Sequence, residues 1–307
     1  MIRIDRTSGQ RLVFKTTAEW EQYVESKPKR EIRRSAAGVS LCARDKSTRQ
    51  DTEQNFVRTP FILPEGHTRQ HFVLIHPTRG RPEKFARILR MWHELASEHN
   101  RIQSLVSIDL GCSEDYMKVF ALFAGRYDFR VFTHDNGKFV DATNRPVVMA
   151  GFGDIVIQIA DDMEPPPNWD LEIQQRVKYD VAHPWILEVC DGNQRDYKGS
   201  TQTLPIMSAA YLRECGYIYW PEYSTVYADN DFTDRARELG VNIEAWDLVF
   251  QHKHYLYGRA EADDTYLRQN APEAYDLGKR VYEKRKAARF GLPTKKTASK
   301  KCRSYQS

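Results

Sequence analysis

From Phe72 onward the chain carries short, unbroken apolar runs separated by stretches in which apolar residues recur every three or four positions. Phe72-Val-Leu-Ile75 is such a run, too short for a helix, and it predicts a buried strand. The loop His76-Pro-Thr-Arg-Gly-Arg81 follows, and Pro82 stands where a helix favours its first residue. Phe85, Ile88, Leu89, Trp92 and Leu95 then form one apolar stripe along that helix. The rhythm repeats with Leu105-Val-Ser-Ile108 as a strand, a helix with Ser113 as its N-cap, and Phe129-Arg-Val-Phe132 as a strand. Strands alternating with helices predict a parallel sheet, in which ligands gather at the carboxyl ends of the strands. Thr78, Asp109 and Asp161 all fall there.

Residues 1–70 lack this rhythm. Arg11-Leu-Val-Phe-Lys15 alternates weakly, Trp20–Tyr23 predicts a short helix, and Ser26–Gln54 is polar and charged like a flexible linker. The expected organisation is an appendage and linker over 1–70, a core over 71–260, and a helical segment with a basic tail over 261–307.

Composition narrows the class. The 307 residues have the apolar share of a globular protein, 41%, and contain no run of about twenty apolar residues. The opening Met-Ile-Arg-Ile-Asp-Arg lacks the apolar core of a signal peptide, so a soluble cytoplasmic protein without a membrane anchor is expected. Cys42, Cys112, Cys190, Cys215 and Cys302 are scattered and odd in number, which predicts reduced thiols and neither a disulfide framework nor a zinc knuckle. The net charge of +4 is uneven. Residues 1–50 hold 12 Lys/Arg against 6 Asp/Glu, and 289–307 hold 6 against none, leaving the middle at −8. Basic ends fit a polyanionic partner such as nucleic acid, or else are solvated tails, Lys295, Lys296, Lys300 and Lys301 among them.

Candidate chemistry centres on the apolar run Ile155-Val-Ile-Gln-Ile-Ala, which leads into Asp161-Asp162 and is stopped by Pro165-Pro-Pro. Adjacent carboxylates at a strand end offer hard oxygen ligands to Mg²⁺ or Mn²⁺; the plain alternative is a turn or a helix cap. His252-Lys-His254 follows the strand Leu248-Val-Phe250, and residues two apart on an extended segment share a side. One or both complete a metal shell, or both are ordinary surface histidines. Arg79 and Arg81 flank Gly80 and reach phosphate, or stay solvated. Tyr217, Tyr219, Trp220 and Tyr223 stack on a ligand or pack the core. Gly151-Phe-Gly153 precedes a strand, so it is no dinucleotide fingerprint, and no phosphate-cradling Gly-x-x-x-x-Gly-Lys occurs.

Four segments, in order, resemble the GT-A fold glycosyltransferases, particularly the family-2-like group, over about residues 70–260. His76–Pro82 resembles the first strand-to-helix loop, whose Pro77-Thr78 pair begins the nucleotide pocket. Val106–Asp115 resembles the second-strand segment, whose Asp109 contacts base or ribose. Asp161-Asp162 resembles the metal-binding carboxylate motif, and Tyr227-Ala-Asp229-Asn-Asp231 through Leu239-Gly240 resembles the acceptor-side motif and its helix. There are two departures: Ile159 stands where an earlier Asp is common, and Ala228 where a Glu leads the acceptor motif.

The resemblance implies a Rossmann-like, mostly parallel sheet flanked by helices. It implies a metal-dependent hexosyltransferase using a nucleotide-diphosphate sugar, a UDP-sugar first, with Mn²⁺ or Mg²⁺ on Asp161 and Asp162 and a late His as further ligand. Pro77, Thr78, Arg79, Arg81, Asp109 and Asp161 form the nucleotide-sugar site. Asp229 matches the catalytic base, which with single displacement inverts the anomeric centre, and Asp231 is the reserve or a helix N-cap. Similar compact enzymes of tailed phages modify hydroxymethylated DNA bases, so DNA is the expected acceptor. A glycan or protein acceptor, a sugar nucleotidyltransferase releasing pyrophosphate, and a non-catalytic glycan- or nucleic-acid-binding protein are the alternatives.

Overall fold

The computed structural model describes residues 2–4, 11–13, 68–135, 137–193, 200–254, 258–259 and 263–292. The expected Trp20–Tyr23 helix, the 26–54 linker, Cys42, Cys302 and the tail lysines lie outside them. The chain divides into two units, Met1–Asn55 and Phe56–Ser307. In the first, β1 (Ile2–Ile4) pairs antiparallel with β2 (Arg11–Val13).

The second unit is built on a seven-stranded sheet. Its strands are β3 (His71–Thr78), β4 (Arg101–Asp109), β5 (Asp128–His134), β6 (Ile155–Gln158), β8 (Ile186–Cys190), β9 (Ile206–Ser208) and β10 (Asn242–Val249), in the spatial order β10-β8-β9-β6-β3-β4-β5. All neighbouring pairs are parallel except those made by β9. The mostly parallel sheet expected from the sequence is therefore present. The antiparallel β9, three residues long, carried no sequence signal of its own.

Both faces of the sheet are covered, which is why its central strands read as continuous apolar runs rather than alternating ones. Phe72 and Leu74 pack on one face with Ile88 and Trp92 of α1 (Pro82–Glu94) and with Trp169 and Ile173 of α5 (Trp169–Arg176). Val73 and Ile75 pack on the other, with Val140 of α3 (Phe139–Asn144), Val147 of α4 (Val147–Ala150), Leu212 of α6 (Ala209–Cys215) and Phe232 of α7 (Ala228–Leu239). Complete burial of one such side chain stabilises by about 1.5–3 kcal/mol. The α1 stripe behaves as its spacing predicts: Phe85, Ile88, Leu89 and Trp92 are fully buried, and Leu95 is packed at the core margin. Pro82 is the first helical residue.

Several boundaries differ from expectation. Ser113 opens α2 (Ser113–Phe123) as its first residue, and its hydroxyl donates to Leu110 O, the start of a preceding 3-10 turn. The helix carrying Asp229 starts at Ala228, so Asp231 lies in its first turn rather than at its cap, and Gly240 closes it with φ +68°. β6 stops at Gln158, before the prolines: Ile159 N still donates to Ile75 O, and the main chain then turns through Ala160–Met163. The short β7 (Met163–Glu164) then pairs antiparallel with β11 (Gln251–His252), which brings the late histidines beside the turn. Beyond it follow α8 (Asp264–Gln269) and α9 (Pro272–Ala287). Gly278 of α9 sits so close to Val226 that a Cβ there would lie 2.6 Å from the Val226 carbonyl, so the two segments pack backbone to backbone. Among the described residues no helix is long and apolar enough to cross a membrane.

Candidate active site

A cavity of about 520 Å³ opens at the carboxyl ends of β3, β4 and β6. Pro77, Thr78, Arg79, Arg81, Asp109, Asp161, Asp162, Asp229, His252 and His254 all line it. Asp231 does not: it is buried, accepting from Arg285 Nε at 2.8 Å and Nη2 at 3.2 Å and from the Tyr223 hydroxyl at 3.1 Å. The Arg285 guanidinium in turn stacks 3.9 Å from the Trp220 ring. That pair ties α9 to the helix bearing Asp229.

The wall at the ends of β3 and β4 is bonded around Asp161. His76 Nε2 lies 2.9 Å from Asp161 Oδ1, Thr78 Oγ1 donates to Asp161 Oδ2 at 2.8 Å, and Thr78 Oγ1 is 2.8 Å from the Tyr116 hydroxyl. Both oxygens of Asp161 are thus engaged by the first strand. Asp109 is flanked by two basic side chains, with Arg79 Nε 2.8 Å from Oδ2 and His134 Nδ1 3.2 Å from Oδ1. Arg81 pairs with Asp263 at 2.5 Å while its guanidinium lies 4.1 Å from the centre of the Tyr266 ring. Burial opposes ionisation of Asp263, but Arg81 and Lys84 outweigh it and bring its pKa down to about 2. Asp263 also caps α8, accepting from Tyr266 N.

The opposite wall is held apart. Asp162 accepts the Tyr266 hydroxyl on Oδ2 at 2.5 Å, and the same oxygen is 3.6 Å from His252 Nε2. On the other side of that ring, Nδ1 is 3.8 Å from Asp191 Oδ2, and this buried nitrogen has no hydrogen-bond partner. Burial works against protonating His252, yet the two flanking carboxylates outweigh it and raise its pKa to about 9. Burial likewise opposes ionisation of Asp162, and His252 with Tyr266 holds it well below the usual carboxylate range. His254, 5.1 Å from the His252 ring, is pushed down by burial and by that neighbour's charge. Asp229 is raised by burial. It follows Tyr227, a bulky residue at φ +68°, a strained backbone held by contacts of its ring with Tyr275 and Tyr282 of α9.

Among the described residues no group of three or more His, Cys, Asp or Glu is arranged as a finished metal cage. Asp162 and His252 nevertheless fit a divalent cation. They present a carboxylate oxygen and an imidazole nitrogen to one space, their separation exceeds a hydrogen bond, and a carboxylate with a neutral imidazole is a donor set suited to Mn²⁺. Cations of this kind are commonly held by one or two side chains plus substrate phosphates. Asp161 is less suited, because both its oxygens already have partners.

Of the aromatic cluster, Tyr219 and Tyr223 are buried in the core, and the Tyr219 hydroxyl donates to Gln158 at the cavity floor. Sequence reasoning passed over Asp191, Tyr266 and His76. Asp191 could have been found, since it follows the apolar strand Ile186–Cys190 as Asp109 ends its own strand. Tyr266 had no local signal: only the fold back of α8 brings it to Asp162.

No protein-family model matches the sequence, and no curated protein matches it. Solved structures do. Residues 1–349 of TarS from S. aureus superpose with a TM-score of 0.50 and 14% identity, covering 74% of this chain and 76% of that one. The same TarS fragment in complex with UDP gives 0.49 and 14% over 59% of each chain, less than two thirds of its length. The mannosyltransferase PcManGT from Pyrobaculum calidifontis, in complex with GDP-Man and Mn²⁺, gives 0.48 and 15% over 81% of this chain and 83% of its own. At such identities the likeness is one of fold, and the fold of this chain is GT-A-like: a mostly parallel seven-stranded sheet flanked by helices.

Proposed function

We propose that this protein transfers a sugar from a nucleotide-diphosphate donor, a UDP-sugar first, to an acceptor hydroxyl, inverting the anomeric centre. One observation carries the reading. Side chains from positions as far apart as Pro77 and His254 converge on a single cavity at the strand ends of a GT-A-like sheet. Asp109, fixed by Arg79 and His134, addresses the base or ribose, and Pro77, Thr78, Arg79 and Arg81 shape the nucleotide end. Asp162 and His252, with His254 beside them, would hold Mn²⁺ or Mg²⁺, and Asp161 anchors the turn that presents Asp162. A cation held there would neutralise charge developing on the leaving diphosphate. Asp229 accepts the proton of the acceptor hydroxyl; burial makes it a stronger base than an ordinary carboxylate. Asp231 keeps the Asp229 helix in place through Arg285. The acceptor proposed is a hydroxymethylated DNA base, supported by the basic composition of residues 1–50 and 289–307.

The test is a panel of UDP- and GDP-sugars, with and without Mn²⁺ and hydroxymethylated DNA, read as release of nucleoside diphosphate. Mn²⁺-dependent release from one donor is expected. Silence with every donor and acceptor, or release of pyrophosphate instead, sinks the reading. Equal duplex binding by the intact chain and one lacking 289–307 removes the tail from it.

A further inference from the structure

We infer that Asp191 is a positioning residue that fixes the tautomer and orientation of His252, so that the imidazole turns a lone pair on Nε2 toward the cation site. The inference rests on the reading above, in which Asp162 and His252 hold a divalent cation.

An imidazole has two nitrogens, and when one binds a cation the other carries the proton and needs an acceptor. In this structure the two nitrogens face different carboxylates from different elements: Nε2 faces Asp162 on the turn after β6, and Nδ1 faces Asp191 just beyond β8. Asp162 and His252 line the cavity, whereas Asp191 stands behind the ring, 3% exposed. Nδ1 is a buried nitrogen without a hydrogen-bond partner, and Asp191 Oδ2 is 3.8 Å away, about 1 Å beyond a hydrogen bond. A small rotation of either side chain closes that gap.

The surroundings hold the two groups face to face. His252 N donates to Asp191 O at 3.0 Å, and Asn193 Nδ2 donates to His252 O at 2.8 Å, stitching the end of β8 to β11. The Asp191 carboxylate is itself aimed, accepting Asn193 N on Oδ1 at 2.9 Å and the Thr203 hydroxyl on Oδ2 at 3.2 Å. Asp191 also meets a need left by the turn. Ile159 is fully buried and Asp161 is committed to the first strand, so Asp162 is the one carboxylate of that turn beside His252. The second negative charge near the imidazole comes from Asp191.

The experiment is Mn²⁺ titration of the full chain in the absence of any sugar donor, followed by electron paramagnetic resonance of the free ion, for the wild type, Asp162→Asn and Asp191→Asn. Asp191→Asn is expected to weaken Mn²⁺ binding by about 10- to 100-fold with its thermal midpoint kept. In parallel, ¹⁵N spectra of His252 with Mg²⁺ are expected to show the proton on Nδ1 in the wild type and mixed tautomers in Asp191→Asn. Wild-type affinity in a folded Asp191→Asn protein that still needs Asp162 overturns the inference and leaves the cation reading intact. No Mn²⁺ binding by the wild type overturns both. If Asp191→Asn does not fold, the wild-type spectrum decides: a proton on Nε2 overturns the inference, one on Nδ1 supports it.

Discussion

Asp161 and Asp162 are neighbours in sequence but belong to opposite walls of the cavity. Asp161 joins the wall of β3 and β4, where His76 and Thr78 engage both its oxygens, Tyr116 bonds Thr78, and Arg79 and His134 flank Asp109. Asp162 joins the wall of β11 and α7, where His252 stands 3.6 and 3.8 Å from two carboxylates and Asp229 accepts from the adjacent amide of Asn230. Carboxylate oxygens already bonded in the folded chain supply rigidity and cost no reorganisation when a ligand arrives. An imidazole kept close to two carboxylates but beyond bonding distance leaves that interaction for a cation or a substrate. The contrast separates side chains that brace the cavity from side chains proposed to act in it.

The comparison breaks most visibly at Asp229. Asp229→Asn keeps the shape of the side chain and removes its basicity, so donor turnover is expected to fall at least about 100-fold. Donor affinity, measured by calorimetry, should hold; an unchanged rate would remove Asp229 from the acting wall. Next in size is Asp161→Leu. It orphans the buried His76 Nε2 and deprives Thr78 of its acceptor, and a loss of about 2–3 kcal/mol in denaturant unfolding is expected. Asp162→Asn should destabilise less than Asp161→Leu, since the amide oxygen still accepts from Tyr266, while weakening Mn²⁺ dependence. Equal destabilisation by the two changes would erase the distinction between the walls.

A smaller effect lies outside both walls. Burial, opposed by the charge of Asp128, lowers the pKa of His93 from 6.5 to about 4, with Nε2 2.9 Å from Ser104 Oγ. Since the unfolded chain takes up this proton near pH 6.5 and the folded one only near pH 4, the contribution of His93 is complete above about pH 6.5. It is lost as the pH falls from 6.5 toward 4, on the order of 3 kcal/mol in all. Urea unfolding of the wild type and His93→Gln across that window checks it; parallel pH profiles would refute it.

How far each wall was legible follows from the distance over which it is encoded. Thr78, Arg79, Arg81 and Asp109 lie at or just beyond strands whose apolar runs declare themselves, and chain direction in a parallel sheet puts them on one edge. The pairing of His252 with Asp162 needs β7 and β11, far apart in the sequence, to meet as Met163 opposite His252, and each strand is only two residues long. Asp229 was found through its motif, whereas the left-handed Tyr227 that aims it has no local mark. Asp231 read as a cap or a base because its partner, Arg285, lies on a helix whose docking no nearby residue specifies.

By itself the sequence determined the central strands of the sheet, their parallel direction and the edge where polar side chains collect, because burial on two faces and a period of two or 3.6 residues are local properties. Only the tertiary structure decided which of two adjacent carboxylates is bonded to β3 and which stands beside His252, which histidine stands between acids, and which aspartate is locked to an arginine. Those outcomes depend on angstrom-scale distances between elements remote in the chain, and a hydrogen bond or ion pair exists only where such distances close.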